Sequence, residues 1–277
     1  MIRGLLTDEE WSFFEPFVVS ASPLGGRPAR DHRRVLDAIF WIARTGAPWR
    51  DLPAELGNWN SVFRQFRRWT ASGLWGVMLE ALADGGGDAD LLQMIDSTSI
   101  RAHHCAAGGR GGTHRQGLGR SRGGFTSKLH IRGNTHGLPI ALHVTVGQEA
   151  DCSNYDALME ARDSDPGIML ADKGYDSDPI RQDLRDRGAV PEIPAKRNRH
   201  VQHRVSRPLY ALRSRFEGCI NRLKNSRRVA THYDQTADSF LGFAALSSIR
   251  LWIRFVHATE VTSIRVCFTM SPLGRRR

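Results

Sequence analysis

The 277-residue sequence predicts an α/β protein, a mixed sheet flanked by helices and preceded by an all-α segment. Three observations carry this. Apolar residues recur at helical spacing through the first 85 residues, the period switches to alternation after Leu91, and strand-like and helix-like stretches then take turns. With 40% hydrophobic residues the chain can bury a sizeable core.

The first helices are read from their periods and stop signals. In "RDHRRVLDAIFWIARTG", Val35, Leu36, Ile39, Phe40 and Ala43 share one face and Gly46 ends the run. In "NWNSVFRQFRRWTASG", Val62, Phe63, Phe66 and Trp69 do the same up to Gly73. The other faces of this second helix carry Arg64, Arg67 and Arg68. Helix, turn and helix with exposed arginines is the pattern of a helix-turn-helix module that reads a major groove. A solvated basic face on a small dimerisation bundle has the same pattern. Residues 1–85 are thus expected to form a helical DNA-binding domain, with "ADGGGDAD" at 83–90 as the linker.

After Leu91, "LLQMID" reads as a strand running into Asp96. "FTSKLHIRGNTHGLPIALHVTVG" reads as a hairpin around Asn-Thr-His-Gly, with Leu129 and Ile131, then Ile140, Leu142, Val144 and Val146, alternating. "NYDALMEAR" is helical, "GIMLAD" is a strand ending on Asp172, "DPIRQDLRDRG" is a helix and "AVPEIP" a short strand. From "RPLYALRSRFEGCINRLKN" onward the chain is helical, with an apolar seam of Leu209, Leu212, Phe216, Cys219 and Leu223. The Gly/Arg-rich "AAGGRGGTHRQGLGRSRGG", residues 106–124, reads as a mobile loop.

Charge is unevenly spread. The formal net charge is +10, yet residues 1–90 hold 10 basic against 12 acidic groups, so the excess belongs to the remainder. Residues 101–132 carry seven basic groups and no acid, and 196–228 carry eleven against Glu217 alone. A polyanion is the partner this clustering favours. A genome biased towards arginine explains the total but not the clusters. Four cysteines without a C-x-x-C pair suggest neither a disulfide framework nor a zinc ribbon, and His103, His104, Cys105 and His114 lack zinc-site spacing. No run of about 18 apolar residues occurs, and acids interrupt the opening "MIRGLLTDEEWSFFEPF", so a cytoplasmic protein without a membrane partner is expected.

Two apolar runs therefore end on an acid, at Asp96 and Asp172. Residues at the carboxyl ends of strands line the sites of α/β sheets. Asp-Ser-Thr-Ser is also good capping chemistry, so a turn or helix cap accounts for Asp96 as well. Tyr210, Arg213, Glu217, Asn221 and Lys224, spaced by three or four, form a polar stripe beside the apolar seam. Glu217 reads either as the partner of Arg213 in an exposed i, i+4 ion pair or as a third acid bordering the first two. Three carboxylates amid arginines suit Mg²⁺ or Mn²⁺ beside phosphates, which describes a two-metal phosphodiester site. Asp176 reads as a turn or helix cap.

At these residues the sequence resembles the DDE transposases of bacterial insertion sequences, within the insertion-sequence-five family. The likeness runs from "LTDEEW" through "GAPWRDLP", "WNSVFRQFRRW", "MIDSTSIRAHH", "GRSRGGFTSKLHI" and "LADKGYDS" to "YALRSRFEGCINRLK". The last fits the signature Y-x2-R-x3-E-x6-K with Tyr210, Arg213, Glu217 and Lys224. The resemblance implies a ribonuclease-H-like catalytic domain over 91–255, with Asp96, Asp172 and Glu217 catalytic and holding two Mg²⁺ or Mn²⁺ ions. It implies cleavage of element ends at terminal inverted repeats, then attack of the freed 3′-hydroxyl on target DNA. It further implies that Arg213 and Lys224 grip phosphates, that Tyr210 supports the DNA end, and that the enzyme works on double-stranded DNA as a homo-oligomer. Arg120 and Arg122 in the Gly/Arg loop would follow the backbone. The tail, "VHATEVTSIRVCFTMSPLGRRR" at 256–277, departs from the family pattern. A DNA-binding remnant or repressor that recognises element ends without cutting, and a nuclease that only hydrolyses, are the competing functions.

Overall fold

The structure, a computed structural model, describes residues 4–18, 31–85, 91–109, 112, 116–121 and 123–258. Four helices come first: α1 (Asp8–Val18), α2 (His32–Thr45), α3 (Trp59–Ala71) and α4 (Leu74–Asp84). Asp31 starts α2 by accepting from the Arg34 amide, and Gly46 stops it at φ 69° with its N–H on the Ile42 carbonyl. Asn58 caps α3, and Val62, Phe66 and Trp69 are buried, as their spacing predicts. The tight turn of the expected helix-turn-helix lies elsewhere, however. Residues 46–58 between α2 and α3 hold two 3-10 turns, preceded by Pro48 and Pro53, whereas α3 and α4 are joined through Ser72 and the left-handed Gly73. Two prolines with fixed φ hold the first connection open, and glycine lets the second close.

The sheet has seven strands among the described residues: β1 (Leu92–Ala102), β2 (Gly119–Ser121), β3 (Gly124–Gly133), β4 (Pro139–Val146), β5 (Ile168–Ala171), β6 (Val190–Glu192) and β7 (Thr231–His232). The main order is β4-β3-β1-β5-β6, with β2 also on β3 and β7 also on β1. β4, β3 and β1 are antiparallel neighbours, and β1, β5 and β6 are parallel. This is the ribonuclease-H-like order. Helices α5 (Tyr155–Glu160) and α6 (Asp178–Asp186) are followed by α7 (Arg207–Ala211), α8 (Arg213–Leu223), α9 (Arg227–Ala230) and α10 (Ala237–Ala258).

Alternation along the strands feeds two cores. Leu92, Met94 and Leu170 join Phe216, Cys219 and Leu223 of α8 on one face. Ile95, Met169 and Ala171 join Tyr155, Leu158, Ile180 and Leu184 of α5 and α6 on the other. Arg132 of β3 is fully buried, because its guanidinium caps α5: it donates to the carbonyls of Leu158, Met159, Arg162 and Ser164 and to Gln93 Oε1 at 2.6 Å.

The helix α10 is long and apolar enough to cross a membrane by composition, but 67% of that stretch is buried inside the protein. Its Phe240, Phe243, Leu246, Ile249 and Trp252 share a core with Phe14, Leu36 and Phe66, and Phe243 stacks on Phe66 at 4.4 Å. Arg250 pairs with Glu10 of α1 at 2.9 Å. The helical segment and the sheet region thus pack around one shared helix.

Two features depart from expectation. The stretch read as a mobile loop contains β2, held by pairing to β3 and by the buried Leu118, with residues 110, 111, 113–115 and 122 outside the described residues. The two-residue β7, too short for any period, was not expected. The linker residues 86–90 and the tail from 259 onward also lie outside the described residues.

His232 of β7 is completely buried, with Nδ1 2.6 Å from Ser127 Oγ and its ring stacked on Phe240. Burial pushes its pKa down to about 4. The folded state therefore holds the neutral ring, and its contribution is complete above the unfolded value of about 6.5 and is lost as pH falls towards 4. The stability difference between wild type and His232→Gln should narrow by on the order of 3 kcal/mol between pH 7 and pH 4, measured by denaturant unfolding. A gap independent of pH would contradict this.

Candidate active site

The site begins with a register. β1 and β5 run parallel and pair from Leu92↔Ile168 to Ile95↔Ala171, where β5 ends. Asp96 and Asp172 are the next residues on each chain, on the face shared by Met94 and Leu170 and covered by α8. β1 itself does not end at Asp96, as the apolar run suggested; it continues to Ala102 because β3 keeps pairing with it through Arg101. Only the neighbour on one side stops. That leaves Asp96 in a rigid strand with an open flank.

Asp172 caps the short turn Lys173–Tyr175, its Oδ1 accepting from Gly174 N at 2.7 Å. Asp96 Oδ1 accepts from Ser97 N at 2.8 Å and Oδ2 from Arg213 Nη2 at 2.6 Å. Its side chain is 13% exposed. Burial pushes the Asp96 pKa up, with the nearby Asp172 charge adding to it, and the attraction of Arg213 only partly offsets this. Arg213 is held above its ordinary value despite its own burial, mainly by Asp96.

The other end of that guanidinium, Nη1, lies 3.4 Å from Glu217 Oε1. Arg213 therefore bridges Asp96 and Glu217, and Glu217, 56% exposed, sits on the same side of the sheet as the two aspartates. The i, i+4 pair is present, and the guanidinium it shares links Glu217 to Asp96. Among the described residues no three His, Cys, Asp or Glu side chains converge on one ion-sized point.

Tyr210 lies under Arg213, with the guanidinium carbon 6.0 Å from its ring centroid, and Lys224 is the C-cap of α8, two turns beyond Glu217. Arg120 is exposed on β2 with its guanidinium over Phe125, and Arg122 lies outside the described residues. Arg64, Arg67 and Arg68 are all exposed on α3. Arg67, however, donates to Thr236 Oγ1 and Ser239 Oγ at 3.1 and 3.0 Å, which ties α3 to α10. Arg68 bonds to Gln65 in its own helix. Asp176 is the C-cap of the Lys173–Tyr175 turn, as read, and its carboxylate is buried between Arg181 and Arg199, each at 2.8 Å, while Ser177 caps α6.

Sequence reasoning missed two residues here, Asp151 and Tyr175. Asp151, between β4 and α5, accepts from Ser97 Oγ and pairs with Lys128 at 3.2 Å. A Cβ at Gly174 would lie 2.7 Å from Asp172 Oδ1 and 3.0 Å from Asp151 Oδ2, so the two carboxylates flank one small space that only glycine leaves clear. Tyr175 is 1% exposed. Burial and then the charges of Asp151, Asp96 and Asp172 raise its pKa, which keeps the hydroxyl protonated. The one available signal for Asp151 was an acid shortly after a strand, in "VGQEAD".

A ribonuclease-H-like sheet with acids at these strand ends defines the class of nucleases and polynucleotidyl transferases. The family model described as "Transposase DDE domain" matches residues 89–253, and "Putative transposase of IS4/5 family" matches residues 6–79. The chain belongs to the DDE transposase family. It is 42% identical over 106 residues to the uncharacterized protein y4sN of Sinorhizobium fredii, spanning 38% of this chain and 82% of that one. It is 35% identical over 112 residues to the insertion element IS402 uncharacterized 16.2 kDa protein of Burkholderia cepacia, spanning 37% and 76%. Among solved structures, the piggyBac transposase synaptic complex with hairpin DNA superposes with a TM-score of 0.51 over 91% of this chain and 71% of that one. At 9% identity that likeness shows a common fold.

Space at Gly174 is testable. Gly174→Ala should destabilise the protein by about 1–3 kcal/mol, because the new methyl meets both carboxylates. Gly218→Ala, on α8 with open space around its Cβ, should instead stabilise it by up to about 1 kcal/mol. Equal effects of the two substitutions in chemical denaturation would contradict the crowding.

Proposed function

We propose that this chain catalyses DNA transposition, cutting the ends of its element at terminal inverted repeats and joining them to target DNA, with Asp96, Asp172 and Glu217 as its catalytic carboxylates. The observation that carries this reading is the common end of the β1/β5 pairing, which sets Asp96 and Asp172 side by side under the helix that bears Glu217. The basic groups of residues 196–228 and of β2 supply the phosphate-binding charge around it.

The donor set fits a hard divalent cation. Asp96 and Asp172 follow the last paired residues of β1 and β5, and carboxylate oxygens are the ligands such an ion takes. Asp96, Asp172 and Glu217 would hold two Mg²⁺ or Mn²⁺ ions, whose chemistry is to lower the pKa of a water or 3′-hydroxyl and to neutralise the leaving oxygen. Arg213 performs the exchange that admits substrate: in the DNA-free protein it neutralises Asp96 and Glu217, and on DNA its planar fork turns to a phosphate, releasing both carboxylates. Tyr210 braces that guanidinium and the DNA end beside it. Lys224, Arg120 and Arg122 grip the backbone, and Arg64 and Arg68 extend the contact along α3, with Arg67 anchoring that helix to α10. The protein works as a homo-oligomer on double-stranded DNA, in the nucleoid.

Purified protein with Mg²⁺ and a duplex carrying the terminal repeats should nick or join it. Asp96→Asn, Asp172→Asn and Glu217→Gln should each abolish this while retaining DNA binding, and unchanged cleavage by any variant removes that residue from the site. Binding by the wild type should weaken on the order of 10³-fold between about 50 and 200 mM salt. A flat salt response would contradict phosphate-dominated binding.

A further inference from the structure

We infer that residues 193–206, the connection between β6 and α7, are a preformed grip on the DNA backbone beside the cut, with Arg197 and Arg204 each contacting a phosphate. The inference rests on the proposed action on double-stranded DNA and assigns to it a binding element outside the Tyr-Arg-Glu-Lys signature and the aspartate pair.

The ends of this connection place it. β6 runs parallel to β5 and pairs with it up to Leu170↔Glu192, so the chain leaves the sheet level with Asp172. It returns at α7, which bears Tyr210 and leads into Arg213, whose guanidinium lies on Asp96. The two ends therefore flank the acid pair. From Ile193 to Arg207 the sequence carries five basic residues and no acid, so the field on this flank favours a polyanion.

A second observation is independent of the charge. The connection forms no helix or strand, and Ile193 is its one buried residue. Connections of this length without regular structure are usually either disordered or functional. This one is fastened. Asp176, whose side chain has no exposed surface, accepts from Lys196 N at 2.7 Å and pairs with Arg199 at 2.8 Å. Glu192 accepts from Ser206 N at 2.7 Å, and Gln202 donates to the carbonyls of Lys196 and Arg199 at 3.3 and 2.8 Å. A buried carboxylate is costly unless it is paired, and here its bonds go to a stretch that adds a single residue to the core. Asp176 also ends the turn that Asp172 caps, so the connection and that acid share one seat. Arg197 and Arg204 are exposed on this frame, and neither side chain has a bonding partner among the described residues. A segment ordered before contact loses little freedom on binding, and these two guanidiniums break no protein bond to reach a phosphate.

The test is binding of the full chain to a duplex carrying the terminal repeats, followed across a range of salt concentrations, with denaturant unfolding measured in parallel. Arg197→Ala and Arg204→Ala should each unfold as wild type does, weaken binding about three- to tenfold at about 100 mM salt, and lower the slope of log affinity against log salt by about 1. Arg185→Ala removes an exposed arginine from α6, on the face of the sheet away from α8, and should leave affinity and slope unchanged. An unchanged slope in either variant of the connection, or an equal fall in Arg185→Ala, overturns the inference. The outcomes separate the two levels: wild-type binding by Arg197→Ala and Arg204→Ala, with cleavage still abolished in Asp96→Asn and Asp172→Asn, sinks this inference and leaves the proposed function standing. A wild-type protein that does not bind the duplex overturns both.

Discussion

The site depends on a backbone constraint, the parallel register of β1 on β5 that ends at Ile95↔Ala171. Parallel pairing makes the two strands run out in the same direction, so the residues that follow are neighbours although 76 positions separate them in sequence. Side-chain alternation then sends both to the α8 face. Because β3 continues to pair with β1 beyond that point, Asp96 stays on rigid backbone while Asp172 turns away into a capped turn. A slip of one residue would put one acid in each core and end the arrangement.

Arg213 sets the phase of the covering helix against this pair. Phe216, Cys219, Ile220 and Leu223 face the sheet, and the same rotation brings Arg213 to Asp96 at 2.6 Å with Glu217 one turn further on. Removing one member of a largely buried pair typically costs about 3–5 kcal/mol, so the bridge holds the helix in place as well as neutralising the acids. Other buried charges act as fasteners of the same kind. Arg132 caps α5, Asp176 ties Arg181 and Arg199 together ahead of α7, and Glu10 holds Arg250 of α10. The scaffold around the acids is therefore pinned at each covering element.

Periodicity made the helices, the hairpin and both acid-terminated strands legible, because each is long enough for a repeat and ends on a recognisable signal. Val62, Phe66 and Trp69, or Leu129 and Ile131, announce their faces locally. What stayed hidden depends on distant partners. Nothing in "GRS" at 119–121 favours a strand; β3 supplies the ladder that makes it one. Nothing near Arg67 in sequence announces that this exposed arginine also bonds to Thr236 and Ser239, 169 and 172 residues later. Asp151 lies in a connection whose anchor, Ser97, comes 54 residues earlier, and no spacing rule links them. Tyr175 is core by burial, and nothing in its local sequence marks it.

The claim that most needs a direct measurement is that β1, the turn after β5 and α8 contribute to one cation site. Fe²⁺ substituted for Mg²⁺, with ascorbate and peroxide, generates hydroxyl radicals that cut the backbone close to the bound ion. On the complex with terminal-repeat DNA, cuts should cluster near residues 96, 172 and 217 together and be suppressed by excess Mg²⁺. Cuts near only one of the three segments, or a pattern indifferent to Mg²⁺, would contradict it.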